Sequence, residues 1–347
     1  MSSPGRRRWA SRDSLRRSDL VRIILRGAFG DRITTEEPLA PYTSFRIGGP
    51  AQWFLKVQSV EELQEAVRVA QRAHIPYLVL GGGSNVLVSD DGVDGLVILN
   101  RARRFSVRPS PAGLRLIADS GVSLPWLAGK LAQGGVSGLE WAIGVPGTVG
   151  GAVVQNAGAW GHEIKDRLVS VEWLTPDGQV EEVPAKRLKL EYRHSALLDM
   201  PPGERPTILR AKFEVERGDP AEVQRRLRCY ILRRTTSQPR APSGGSVFRN
   251  PPGDYAGRLI EAVGLKGHRI GNAQFSPKHA NFIVNLGGAT AADVRALIEL
   301  ARQRVREQFG ITLELEIELV GRWEQEAEGD EPDTPPPAEG QQGEKEP

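Results

Sequence analysis

Ser137–Gly161 reads S-G-L-E-W-A-I-G-V-P-G-T-V-G-G-A-V-V-Q-N-A-G-A-W-G. It holds seven glycines in twenty-five residues, several times the usual share of about 7%. Glycine lets the backbone take positive φ, or approach another group with no Cβ in the way. The gaps are filled with Ala, Val, Ile and Trp, whereas a flexible linker would carry polar filling. The composition describes buried, tightly turning backbone pressed against something flat or phosphorylated. A glycine-rich crossing of two core elements would read the same way, and the stretch alone leaves both open.

Upstream, Ser59 and Glu62 form a capping box pattern, and Val60, Leu63, Val67 and Ala70 repeat at helical spacing. The apolar strand Tyr77–Leu80 then opens into Gly81-Gly82-Gly83-Ser84-Asn85. Such a loop suits a nest of backbone N–H groups that holds an anion such as a pyrophosphate. It is neither G-x-G-x-x-G nor a Walker motif, and no helix pattern follows it. A dinucleotide is therefore compatible with the loop, but the usual NAD fold is not. Asp90-Asp91-Gly92 reads as a turn, and no metal site is expected.

Downstream, Leu114–Ala118, Val169–Leu174, Gln179–Val183 and Ile208–Glu216 read as strands, with a helix near Leu124-Pro125-Trp126. Asp219-Pro220 with Glu222 starts a helix that carries Val223, Leu227, Tyr230 and Ile231 on one face. Thr290 with Asp293 caps the last long helix, and Gly310 ends it. Residues 311–320 alternate apolar and acidic, placing Glu314, Glu316 and Glu318 on one strand face. Aligned carboxylates repel, so a cation partner for at least one is expected; a half-exposed edge strand is the alternative.

A chain of 347 residues exceeds one ordinary core, and two or three domains are expected. No apolar run approaches the roughly 20 residues that span a bilayer, and the basic N-terminus lacks an apolar h-region. A cytoplasmic protein without membrane insertion is the expectation. The single Cys229 excludes an intramolecular disulfide and a multi-Cys metal site; its helical context predicts a packed thiol. The net charge of +3 hides polarised ends, about +5 over residues 1–22 and about −8 over residues 323–347. Both ends read as disordered by composition. No aromatic interleaving accompanies the arginines, so no nucleic-acid partner is expected.

Seven motifs stand in a fixed order: Y-T-S-F-R-I-G-G (42–49), G-G-G-S-N (81–85), G-V-P-G-T-V-G-G-A-V-V-Q-N-A-G (144–158), Y-R-H-S (192–195), G-S-V-F-R-N-P (245–251), H-A-N-F (279–282) and L-E-L-E-I (313–317). Together they resemble the UDP-N-acetylenolpyruvoylglucosamine reductase family over roughly residues 33–321. The resemblance implies an α+β fold. An FAD-binding domain of the PCMH or vanillyl-alcohol-oxidase type would span 33–217, in subdomains 33–105 and 106–217. An α+β substrate-binding domain would span 218–322, with a basic lead-in at 1–32 and an acidic tail at 323–347. It further implies extended, non-covalent FAD (no attachment histidine lies near Gly81), NADPH as reductant, a UDP-sugar substrate and a monomer.

By the same resemblance the cofactor residues would be Tyr42, Ser44, Ile47, Gly48, Gly81, Gly82, Gly83, Ser84, Asn85, Gly144, Pro146, Gly147, Gly150, Gly151, Ala157 and Gly158. The pyrophosphate would lie at 81–85 and the isoalloxazine against 144–158. Ser246 would be the general acid, while Arg193 and Glu316 would hold the substrate carboxylate. Tyr192, Arg249, Asn250 and His279 would sit at the substrate. The implied reaction moves a hydride from flavin N5 to the enolpyruvyl methylene and a proton from Ser246, forming UDP-N-acetylmuramate for peptidoglycan. Leu315 stands where the family usually has Pro, and Arg249 where it often has Lys. The short span from Ser195 to Ile208 leaves no room for the inserted loop of one class and points to type II. The alternative is another FAD oxidoreductase of this fold acting on a small alcohol or lactone.

Overall fold

The computed structural model describes residues 12–323, and three main sheets succeed one another along the chain. The first joins Ile33–Pro38, Pro50–Val57, Val93–Asn100 and Tyr77–Leu80 in that spatial order. Its first pair is antiparallel and its other two contacts are parallel. Parallel neighbours need a crossover, and the helix Val60–Arg72 belongs to it, burying Val60, Leu63, Ala66, Val67, Val69 and Ala70. Ser59 Oγ accepts the Glu62 N–H at 3.2 Å. The expected return bond is not made, because the Glu62 carboxylate takes the Gln58 N–H and Arg32, both at 2.8 Å.

The second sheet is antiparallel throughout, in the order Val180–Pro184, Leu168–Leu174, Thr207–Arg217, Gly113–Asp119, Phe105–Ser110. Val136–Ser137 pairs with the far end of Thr207–Arg217 and delivers the chain into the glycine-rich stretch. That stretch becomes a 3-10 turn (Glu140–Gly144), a short helix (Val149–Val154) and a tight hairpin of Gly158–Ala159 with His162–Glu163. Its apolar filling is buried: Leu139, Trp141, Ala142, Val149 and Val153 join the core on this sheet.

The third sheet orders Ser243–Ser246, Phe282–Asn285, Ala273–Phe275 and Arg269–Ile270. The helix Ala291–Phe309 packs on it through Val294, Leu297, Ile298, Ala301 and Val305. Thr290 and Asp293 complete a reciprocal capping box. Asp90, from the first unit, accepts the Ala291 and Ala292 N–H groups at 2.9 and 3.0 Å. A carboxylate at a helix N-terminus satisfies orphan donors and meets the positive end of the dipole, so Asp90 caps across units. The third unit is also stitched to the first by Glu318–Val320, which pairs in parallel with Val86–Val88.

Four sequence expectations change. Residues 12–22, read as part of a disordered basic tail, lie in the helix Arg12–Phe29. Val21, Ile24, Leu25 and Phe29 form a helical stripe on the first core, with Leu25 fully buried, and the arginines between them hid it. The helix Pro220–Ser237, assigned to the third unit, packs Val223 and Leu227 against Ala132 and Ile143 of the second. Ile231 and Cys229 on that helix are exposed rather than packed, because its apolar stripe is only about two turns long. Residues 311–317 form no strand beyond a single bridge from Leu315 to Phe248. The disorder expected for 1–11 and 324–347 concerns residues outside the described ones. Among the described residues no helix is long and apolar enough to cross a membrane.

Candidate active site

A cavity of about 560 Å³ opens where the three units meet. One wall is backbone. Tyr77–Leu80 runs into the loop Gly81–Asn85, and that loop lies against Gly144–Gly151, so the two glycine segments meet rather than stand at opposite ends of the cavity. A Cβ on Gly82 would sit 2.8 Å from Gly147 Cα. Gly147 has φ +116°, and a Cβ there would sit 2.7 Å from Ser84 Oγ. Of the expected cofactor residues, Gly81 to Asn85, Gly144, Pro146, Gly147, Gly150, Gly151, Ala157 and Gly158 all line the cavity.

Tyr42, Ser44, Ile47 and Gly48 do not line it; they brace the wall from behind. Ser44 donates its N–H to Gly83 O at 2.9 Å and its hydroxyl to Ser243 O at 2.7 Å. Tyr42 stacks on Phe54 and donates to Glu37 at 2.7 Å, a bond that raises the phenol pKa. Ile47 is buried in the third core, and Gly48 backs onto Val88.

The donor set fits FAD. Gln155 and Gln238 both line the cavity, and each keeps a buried Oε1 with no partner. Buried polar atoms left unpaired are costly, so these oxygens suit a polar ligand. Arg234 also lines the cavity and donates to Gly144 O; burial lowers its pKa. A glycine wall that excludes a methyl group, with cation and amides around it, matches a flat ring system joined to a pyrophosphate. Gly82→Val is therefore expected to yield folded protein with most of its flavin lost. Flavin absorbance per protein, beside an unchanged circular dichroism spectrum, checks this, and full flavin content would contradict it.

Ser246, Arg193 and Glu316 all face this cavity. Beyond Ser246 the chain runs beside the Glu316 segment: Glu316 N–H donates to Val247 O at 2.8 Å and Arg249 N–H to Glu314 O at 2.9 Å. The Asn281 amide fixes Phe248 from the other side, bonding its N–H and its C=O at 2.9 and 2.8 Å. Arg193 sits in a tight turn at φ +53°. Its Nη2 donates to Gly158 O at 2.7 Å. Its Nε stands 2.8 Å from Glu316 Oε1, an ion pair without hydrogen-bond alignment. Burial raises the Glu316 pKa, and Arg193 and Arg249 oppose that without cancelling it.

The four expected substrate residues do not line the cavity. The Tyr192 hydroxyl accepts from Asn250 Nδ2 at 3.3 Å, and the Arg193 guanidinium lies 5.5 Å from the Tyr192 ring centroid. Arg249 approaches Glu314 at 3.8 Å. His279 packs edge-on against Phe282 at 4.9 Å, and burial lowers its pKa. Gln155 lies within the 144–158 motif without having been singled out, and no motif covers Arg205, Arg234, Gln238 or Glu318. Glu318 accepts from Gln155 at 2.8 Å and from Arg205 at 3.2 Å. The alternating acids of 314–318 were the available signal, and all three have arginine partners, at 3.8 Å for Glu314, 2.8 Å for Glu316 and 3.2 Å for Glu318.

Comparisons with known proteins place the chain among flavin-binding reductases. A family model described as an FAD binding domain matches residues 51–184, and one for the UDP-N-acetylenolpyruvoylglucosamine reductase C-terminal domain matches 238–320. A UDP-N-acetylenolpyruvoylglucosamine reductase of Rubrobacter xylanophilus is 46% identical over 82% of this chain and 94% of its own length. One of Anaeromyxobacter sp. is 45% identical over 83% of this chain and 85% of its own. The crystal structure of the Thermus caldophilus enzyme superposes with a TM-score of 0.68 at 38% identity, covering 83% of this chain and 98% of that one.

Fold and site thus define an FAD-dependent oxidoreductase with an α+β architecture. Its cofactor is FAD. The chain belongs to the UDP-N-acetylenolpyruvoylglucosamine reductase family.

Proposed function

We propose that this chain reduces UDP-N-acetylglucosamine enolpyruvate to UDP-N-acetylmuramate, with Arg193 and Glu316 holding the enolpyruvyl carboxylate and Ser246 supplying the proton. The observation that carries the reading is the Arg193–Glu316 pair, 2.8 Å apart, in the cavity that Ser246 shares. Bound FAD, reduced by NADPH, supplies the hydride for the enolpyruvyl methylene carbon. The residues manage the charge and the proton. Negative charge grows on the α-carbon and spreads into the carboxylate. Arg193, always charged and forked, suits those oxygens, in the manner of an oxyanion site. Burial raises the Glu316 pKa against the pull of Arg193 and Arg249, the direction that favours a carboxyl donating to the growing anion over a carboxylate repelling it.

Ser246 then passes its hydroxyl proton to the α-carbon. Serine is a weak acid, but an enolate is a strong base, so position decides. Gly244 and Gly245 set that position. A Cβ on Gly244 would sit 2.2 Å from the Phe45 ring, and Gly245 turns at φ +82°. FAD is held non-covalently along the joined glycine wall, and Tyr192, Arg249 and Asn250 serve the outer part of the UDP-sugar. The substrate is a small molecule rather than a nucleic acid. The soluble nucleotide substrates support a cytoplasmic setting. The test is direct: purified protein should be yellow, release FAD on denaturation, and turn over NADPH beyond the one equivalent that reduces its flavin only when the enolpyruvyl UDP-sugar is present. Flavin that reoxidises rapidly in oxygen and ignores the UDP-sugar would favour an oxidase of small alcohols or lactones and overturn the reading.

A further inference from the structure

We infer that Asn156 is a positioning residue for Arg193; the inference rests on the reading that Arg193 holds the substrate carboxylate. Asn156 follows the Gln155 cap of the Val149–Val154 helix in the glycine-rich stretch and is fully buried. Its amide is completely used. Nδ2 donates to Glu191 O at 2.6 Å and to Glu163 Oε2 at 3.1 Å, and Oδ1 accepts the Lys165 N–H at 3.0 Å. The bond to Glu191 is the informative one. Glu191 and His194 close a tight turn by exchanging backbone bonds at 3.0 and 3.2 Å, and Arg193 sits inside it at φ +53°. An arginine is disfavoured in that backbone region, so something must hold the turn, and Asn156 grips its first carbonyl.

The far end of Arg193 is held by the same short segment. Its Nη2 donates to the carbonyl of Gly158, two residues past Asn156, at 2.7 Å. Root and tip of the side chain are thus both referenced to residues 156–158, of which Ala157 and Gly158 line the cavity. Asn156 does not line the cavity, so its effect on the reaction passes through Arg193. A misplacement of about 1 Å can cost about 100-fold in rate, and a buried side-chain hydrogen bond is a means of preventing it.

Asn156→Gly tests this, because Asn156 itself has φ +41° and glycine accepts that backbone without strain. The holoenzyme variant is expected to bind UDP-N-acetylmuramate about 10- to 100-fold more weakly by calorimetry, and to lose a similar factor in flavin reoxidation by the enolpyruvyl substrate. Flavin content and NADPH-driven flavin reduction should hold within about twofold, the scatter of independent sites. In an Arg193→Ala background the same glycine change should cost less than about twofold. Equal losses in both backgrounds would make Asn156 a general packing residue and overturn the inference. An Arg193→Ala enzyme that binds product normally would instead overturn the role of Arg193 itself. If the glycine variant does not fold, Asn156→Asp, which keeps the shape and the Oδ1 acceptor, is read against the same background. Failure of both to fold would assign Asn156 to folding and end the proposal.

Discussion

A Ser246→Ala enzyme is expected to take electrons from NADPH at the normal rate and then to stall. Reoxidation of its flavin by the enolpyruvyl UDP-sugar should slow by about 10²- to 10⁴-fold, the usual contribution of a positioned proton donor. The asymmetry follows from placement. Ser246 lies at the end of the Ser243–Ser246 strand, facing the cavity from the third unit. The glycine wall that would hold the flavin comes from the first and second units, so removing one hydroxyl leaves it intact. Stopped-flow absorbance of the flavin separates the two half-reactions. A variant slowed equally in both would place Ser246 in cofactor binding and remove it from proton transfer.

How much of this was legible in the chain depends on how local each signal is. Helix caps are local: Asp219 accepts the Glu222 N–H at 2.9 Å, as Asp-Pro followed by Glu implies. Glycine composition is nearly local. The bulk of the wall was legible because only glycine tolerates Gly82 and Gly147 in backbone contact. The partner of each segment is not local. The pair Gln155 and Glu318 is separated by 163 residues, and Arg205 and Glu318 by 113, so no spacing along the chain announces them. The same reason explains Pro220–Ser237. Val223 and Leu227 announced a buried stripe, but nothing in their pattern says that Ala132 and Ile143 cover it. Tyr42 and Ile47 show a further limit. Their motif marks a segment that supports the site, and motif membership does not say whether a side chain faces the cavity or the core behind it.

Glu316→Gln separates the need for a donor from the need for a charge. In the folded protein, burial raises the Glu316 pKa above the ordinary carboxylate value despite Arg193 and Arg249. The folded state therefore binds this proton more tightly than the unfolded state does. Its stabilising effect is fully present below the unfolded pKa and is lost as pH rises through the folded one. Function should follow the same sign if the protonated carboxyl is the donor. Flavin reoxidation by the enolpyruvyl substrate should fall on the alkaline side as Glu316 ionises, because a second anion then faces the growing charge. Glutamine keeps a neutral donor at every pH. Glu316→Gln should therefore flatten that alkaline limb while retaining part of the rate. Glu316→Ala, which has no donor, should lose about 10²- to 10³-fold, the scale seen when one donor to a developing anion is removed. The same pair of variants reports on stability: Glu316→Gln should gain on the unsubstituted protein in melting temperature as pH rises through the folded pKa, since it has no charge to bury. If the alkaline limb survives unchanged in Glu316→Gln, the limb belongs to another group, and Arg193 must be binding the carboxylate beside an ionised glutamate.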